Sequence, residues 1–411
     1  MPRACFSPPG IPEYFRAVDY PRIYLKSKKD QSVRRFHPWV FSGAVKLMEG
    51  DPQPGDVVAV HANKGQFLGL GHYANGSIAV RLFAFEEVNP DVDFFIHKLS
   101  LAADRRKSIG LWNNPDTTCF RLVHGEGDGL PGLIIDIYDS VAVLQAHSIG
   151  MHRFRNELAE ALVRLFEGRL TAVYDKSDET LRKSGHSSEN GFIHGSGEAF
   201  TVAKEYGHKF EVNWETGQKT GFFIDQRENR KLLGDYAKDK VILNTFCYSG
   251  GFSIFALNHG AKEVHSLDSS QKALDLVTRN LEINGLESAA HENIKADALE
   301  HIKALPGAYD IIILDPPAFA KHKSARHNAV QGYKRLNAHA IRQIKPGGMI
   351  FTFSCSQAVD KALFNHTVTA AAISEGRSVK ILHQLHQPAD HPVNIFHPEG
   401  EYLKGLVIQV E

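Results

Sequence analysis

Tyr309-Asp310-Ile311-Ile312-Ile313-Leu314-Asp315-Pro316-Pro317-Ala318-Phe319, read with Met349-Ile350-Phe351-Thr352-Phe353-Ser354-Cys355-Ser356, decides the fold class of this chain. Each is a short apolar run that stops abruptly at polar chemistry: an acid and two prolines in the first, a thiol between two serines in the second. Such runs read as strands buried on both faces, the mark of a parallel sheet covered by helices. In open α/β sheets ligands sit just beyond the carboxyl ends of the strands. Asp315 and Cys355 are therefore placed as an acid and a nucleophile facing one planar substrate.

Outward from these two runs, strand and helix signals alternate from Phe200 onward. Strands are expected at Lys240 to Asn244, Glu263 to Asp268, Asn293 to Ala296, Asp310 to Asp315, Gly348 to Cys355, Val379 to Leu385 and Gly405 to Val410. The helices between them include Ser270 to Asn284, closed by Gly285, and Val330 to Ile344, closed by Lys345-Pro346-Gly347. The expectation is an α/β, doubly wound, seven-stranded Rossmann-like domain over 200–411. Before it, Pro21 to Glu87 alternates β-prone runs with turns such as Pro54-Gly55 and Asn75-Gly76, which fits a small β-barrel over 21–90. A helical pattern from Phe94 to Ser108, the turn-rich Gly125 to Gly132, strands at Leu133 to Tyr138 and Val141 to Ala146 and a helix from about His152 to Phe166 describe a central α+β domain over 91–199. Residues 1–20 read as a flexible tail.

The 47 lysines and arginines balance the 47 aspartates and glutamates, so no global field announces a nucleic-acid partner and any such contact must come from local patches. One patch is the barrel's start, where residues 21–40 carry six Lys/Arg against the single acid Asp30, with Phe36, Trp39 and Phe41 beside or just after them. Cations next to stacking rings suit RNA, and a solvated charge run is the alternative. The four cysteines are far apart, without metal-ligand spacing, so neither a disulfide scaffold nor a bound metal is expected. No secretory signal or membrane-length apolar run is present, and a reduced, cytoplasmic protein is the expectation.

The turn Asn244-Thr245-Phe246-Cys247-Tyr248-Ser249-Gly250-Gly251 links a strand to a helix N-terminus, and its glycines let backbone approach a ligand. It lacks the G-x-G-x-x-G dinucleotide fingerprint. Asp268 ends the next strand, where a carboxylate can take two ribose hydroxyls or, alternatively, cap a helix; Asp297 closes the third and could receive an adenine amine. A nucleoside cofactor without a pyrophosphate cradle points to S-adenosyl-L-methionine (AdoMet). Cys247 is a rival thiol, read here as packing or pocket lining.

Together, Asn244 to Phe252, Asp268, Asp297, Asp315 to Phe319 and Phe353 to Ser356 resemble the RlmI-like class I AdoMet-dependent methyltransferases, which make 5-methylcytosine in large-subunit (23S) ribosomal RNA. Arg34 to Phe41 looks like the start of that family's PUA domain, Arg121 to Asp136 like its central domain, and Gly221 to Arg227 and Asp390-His391-Pro392-Val393 also match. The resemblance implies that Asp225, Gln226 and Arg227 hold the methionine end of AdoMet and that Asn244, Tyr248, Ser249, Gly250 and Gly251 line it. Asp268 and Ser269 would meet the ribose, Asp297 and Ala298 the adenine, and Asp315 both cofactor and base. Pro316, Pro317 and Phe319 would border the base. Lys321, Lys28, Lys29, Arg34 and Arg35 would meet phosphates of the RNA partner, and Cys355 would make the covalent attack. Many RNA cytosine-5 methyltransferases carry a second cysteine where this chain has Ala318, so the resemblance favours a one-cysteine subgroup and leaves the proton-removing base unassigned. Between Ala318 and Lys345 stand seven Lys/Arg and no acid, an electropositive setting for thiolate and RNA alike.

Three alternatives stay open on sequence: uracil-5 methylation by the same covalent logic, guanine amine methylation using the acid-Pro-Pro segment alone, and a non-catalytic RNA-binding protein with a methyltransferase-like domain. Monomer and homodimer are equally compatible with the sequence.

Overall fold

The computed structural model describes residues 19–305, 307–320 and 323–411; the tail expected at the N-terminus falls outside them except for its last two residues, and so does Lys321. The catalytic sheet has the strand order His291–Lys295, Glu263–Asp268, Val241–Thr245, Ile311–Leu314, Met349–Ser354, Lys404–Val410, Val379–His386. The first five run parallel, and Lys404–Val410 inserts antiparallel between Met349–Ser354 and Val379–His386. The apolar run that opens the sequence argument is buried throughout because its side chains serve two cores. Ile311 and Ile313 pack with Phe252 and Phe255 on one face, and Ile312 and Leu314 pack with Tyr333 and Phe364 on the other. Period-two alternation and burial on both faces leave no polar position until Asp315.

Helices flank the sheet near the expected places. Gln271–Ile283 starts after Ser270, whose hydroxyl accepts from Ala273 N, and Arg326–Gln343 begins earlier than Val330 because Arg326-His327-Asn328 carry no apolar signal. N-terminal to this domain lie three further sheets. Residues 22–84 form a six-stranded, mostly antiparallel sheet closed around Ile23, Val58, Val80 and Leu82. Residues 119–194 form a five-stranded sheet covered by the helices Val92–Ser108 and Arg155–Phe166. A hairpin, Phe200–Glu205 with His208–Asn213, joins it to the catalytic sheet. Among the described residues no helix is long and apolar enough to cross a membrane.

The sheet order reverses between Val241–Thr245 and Ile311–Leu314, which places the crevice beside Asp315.

Candidate active site

The strand Val241–Thr245 ends in a turn with three left-handed residues, Phe246 (φ 54°), Tyr248 (φ 48°) and Gly250 (φ 74°). For the two aromatic residues this conformation costs on the order of 1–3 kcal/mol each, and the surroundings hold it. Tyr248 N donates to Asp268 Oδ2 at 3.1 Å, while Tyr248 Oη donates to Gly221 O and accepts from Gln218 N, each at 3.1 Å. Asn280 Nδ2 donates to Ser249 O at 2.8 Å. Gly250 is required twice over: its φ is positive, and a Cβ there would meet the Val277 side chain at 3.0 Å.

This turn floors a cavity of about 310 Å³ at the carboxyl ends of four parallel strands. Of the residues singled out in the sequence, Asp225, Gln226, Tyr248, Ser249, Gly251, Asp268, Ser269, Asp315, Pro316, Pro317 and Cys355 line it, as does the rival thiol Cys247. The others do not. Arg227 lies behind the wall, buried, with its guanidinium 2.9 Å from Asp390. Asn244 is buried and donates to Ser253 Oγ. Gly250 packs on Val277, Asp297 caps the helix Ala298–Lys303 by accepting from Glu300 N, and Ala298 is buried in that helix's first turn. Phe319 stacks on Tyr333 with ring centroids 4.6 Å apart. Lys28, Lys29, Arg34 and Arg35 are exposed in the turn and short helix that follow the strand Arg22–Leu25, and none of them lines the cavity.

Lys219, Phe223, Arg230, Phe246 and Leu403 also line the cavity. Arg230 could have been found from sequence, since it lies one helical turn after Gln226 and so shares its face. Lys219 arrives through a loop closed by Gly217 and Gly221, and Leu403 through the last strand's entry, neither of which carries a local signal.

The charges divide into two tiers. Arg230, at the cavity wall, pairs with Glu205 through two hydrogen bonds of 2.7 and 2.9 Å, and Arg227 pairs with Asp390 at 2.9 and 3.0 Å behind the cavity, both ion pairs buried. Facing it, Asp225 receives Tyr402 Oη at 2.7 Å and Lys219 Nζ at 3.3 Å. Burial pushes the Asp225 carboxyl up, but Lys219, His391, Tyr402 and Arg121 outweigh it and hold the group below the usual carboxylate range. Asp315 is the opposite case: burial, then the neighbouring Asp225 charge, push it up to about 7 against Gln226, Lys219 and Arg230. Cys355 is half-buried, and its thiol is raised by burial and then by Asp315, with Lys219 and Lys404 pulling the other way. The setting of Cys355 is thus less electropositive than expected from the Lys/Arg-rich stretch, because the largest influence on the thiol after burial is the Asp315 carboxylate. Cys247 is buried and pushed well up, by burial and then by Asp268.

The donor set fits AdoMet. Asp225 keeps Oδ1 buried and without a partner among the described residues, an acceptor suited to a cationic α-amino group. Asp268 holds its place by accepting from Tyr248 N and Ser270 N and borders the same cavity, as a ribose acceptor must. Asp268→Ala should weaken AdoMet by about 1.5–3 kcal/mol, the worth of hydrogen bonds to a charged group, in isothermal titration calorimetry. Unchanged affinity would place the ribose elsewhere.

Comparison with known proteins agrees with this geometry. Residues 23–85 match a PUA-like domain and residues 141–405 match the S-adenosylmethionine-dependent methyltransferase family. The chain is 40% identical over 395 residues to ribosomal RNA large subunit methyltransferase I of Alteromonas mediterranea, covering 95% of this chain and 98% of that one. It is 37% identical over 398 residues to the protein of the same name from Vibrio cholerae, covering 95% and 99%. A methyltransferase-fold structure solved with SAH, SMU.776, superposes with a TM-score of 0.81 at 23% identity, covering 94% of this chain and 99% of that one. With a methyltransferase domain over residues 141–405, a PUA-like domain ahead of it and relatives aligned over nearly its whole length, the chain belongs to the AdoMet-dependent ribosomal RNA large subunit methyltransferase I family.

Proposed function

We propose that this protein methylates carbon 5 of a cytosine in large-subunit ribosomal RNA through a transient bond between Cys355 Sγ and carbon 6 of the base. The observation that carries this reading is that a thiol and an acid, Cys355 and Asp315, line one cavity with the cofactor residues, while Ala318 stands where a second cysteine would be. The curated relatives named for large-subunit ribosomal RNA support the substrate class.

Carbon 5 of cytosine is a poor nucleophile. Addition of the Cys355 thiolate at carbon 6 turns the ring into an enamine, with Asp315 giving its proton to N3 and accepting from the exocyclic amine as charge develops. When bound, AdoMet supplies the electrophilic methyl. Transfer of the carbon 5 proton to a base, for which solvent water suffices, expulsion of the thiolate and return of the N3 proton to Asp315 restore the ring. The side chains do the rest of the work: Pro316 and Pro317 hold Asp315 on a stiff extended path, and Lys219 supports the thiolate.

The reactive state needs Cys355 ionised and Asp315 protonated, although Asp315 is the stronger acid. Only the singly deprotonated pair contains it, so single-turnover rate should rise as pH passes about 7, plateau, and fall when the second proton is lost. Asp315→Asn should lower the rate about 10²–10⁴-fold, move the rising limb up to the thiol's own titration and abolish the falling limb. A wild-type profile with no limb near 7 would remove Asp315 as the donor. Incubation with AdoMet and undermethylated large-subunit RNA should yield 5-methylcytidine on nucleoside digestion; 5-methyluridine or a methylated guanosine would replace this reading.

A further inference from the structure

A second cleft, of about 460 Å³, lies between the PUA-like sheet and the central domain and shares no residue with the catalytic cavity. Its walls carry Arg81, three histidines, three serines and an asparagine, and no aspartate or glutamate. The size is that of a small-ligand pocket.

Two of its polar side chains are unspent. Arg81, on the strand Ile78–Ala84, is partly buried, yet its guanidinium makes no hydrogen bond or ion pair among the described residues. The carboxylate whose charge reaches it, Glu126, already accepts Trp39 Nε1 at 2.8 Å. A guanidinium that lines a cleft and that no protein group satisfies is open to an anion entering from solvent. His72 is 2% exposed, and neither ring nitrogen has a partner. Its ring is clamped by Phe83 and Phe154, with centroids 5.0 and 5.6 Å away, and by Gly150, where a Cβ would stand 2.4 Å from the imidazole. Burial and the Arg81 and Arg153 charges hold that imidazole neutral, down to about 3, so it keeps one N–H to donate.

The two walls are fixed to each other. Arg153 of the central domain binds Asp56 Oδ1 at 2.5 Å and Pro54 O at 3.0 Å on the PUA-like side. A rigid, donor-rich, carboxylate-free cleft with an unpaired guanidinium has one complementary ligand chemistry, an anion with several acceptor oxygens in a plane or fork.

We propose that this cleft binds a phosphate ester, with Arg81 as its charged anchor and His72 as a buried donor. The phosphate can come from the RNA backbone or from a free nucleotide, and the inference does not depend on which base the enzyme methylates.

The test uses the full chain and three probes: deproteinised large-subunit ribosomal RNA, AMP and inorganic phosphate. If RNA supplies the phosphate, Arg81→Gln should weaken RNA binding about tenfold and lower the slope of log affinity against log salt by about one. Arg81→Lys should restore the slope but only part of the affinity, since it keeps the charge and loses the fork. AdoMet affinity by calorimetry should be the same in all three proteins, which excludes misfolding. If a free nucleotide supplies it, the salt slope stays unchanged, but AMP or inorganic phosphate shifts the wild-type Arg81 Nε–Hε resonance, a peak identified by its loss in Arg81→Gln. A resonance unmoved by every probe, together with an unchanged salt slope, overturns the proposal.

Discussion

Cys355→Ala should abolish methyl transfer while leaving AdoMet affinity nearly intact. The thiol lines the cavity beside Asp315, Pro316 and Pro317, and its proposed partner is carbon 6 of the base rather than the cofactor. The measurement that isolates this role uses RNA carrying 5-fluorocytosine at the target. After methyl transfer, fluorine occupies the place of the proton that must leave, elimination stops, and the protein should remain covalently attached to the RNA on a denaturing gel. Cys355→Ala should show neither turnover nor adduct. Cys247→Ala should still form adduct, because its sulfur is buried, raised by Asp268 and set in the cofactor turn. An adduct that survives Cys355→Ala and disappears in Cys247→Ala would exchange the two roles. No adduct with a substrate that is otherwise methylated would point to amine methylation.

Asp390→Ala should destabilise the fold by about 3–5 kcal/mol. Asp390 is fully buried, and its carboxylate receives Arg227 Nη1 at 3.0 Å, Arg227 Nη2 at 2.9 Å and the Arg121 backbone N at 3.0 Å. Its carbonyl accepts from Arg106 Nη2 at 2.6 Å. Removing the carboxylate leaves the buried Arg227 guanidinium with only the half-exposed Glu228, 3.2 Å from its Nε, a larger penalty than the pair's net worth. Asp297→Ala, which loses a helix cap, should cost only about 1 kcal/mol, both losses being read by urea titration of the variants beside wild type. The pH dependence carries a definite sign. Arg227 and His391 hold the Asp390 carboxyl well below its ordinary value despite burial, so its contribution is present above the unfolded pKa of about 4 and is lost as pH falls through the folded one. The gap between wild type and Asp390→Ala should be full at neutral pH and close on acidification. Equal midpoints for the two variants at neutral pH would show that the buried pair is not a brace.

The parallel sheet was legible because burial on both faces leaves an unambiguous apolar run, and Asp315 and Cys355 were legible because polarity begins where those runs stop. Asp268 was readable for the same reason. Asp297 looked equivalent from its place after a strand; it lies off the cavity lining and caps the next helix by accepting from Glu300 N. Phe319 follows the prolines as expected, yet the chain bends and spends the ring on Tyr333. Arg227 sits in a motif with two cavity residues, and the helical start turns it away toward Asp390. Lys219 and the raised titration of Asp315 depend on loops meeting across the crevice, and no local pattern encodes that. The orphaned Arg81 was equally hidden: its strand reads as ordinary alternation, and only the missing partner sets it apart.

Asp390 joins residues that stand 284, 269 and 163 positions away along the chain. Contacts of such separation close the longest loops and form after the local helices and hairpins are in place. We expect the wall behind the cofactor cavity to be completed late, which Asp390→Ala would show by speeding unfolding while leaving the folding rate nearly unchanged in stopped-flow kinetics. Such contacts set how long a folded site survives more than how quickly the sheet assembles, so the brace governs the lifetime of the enzyme.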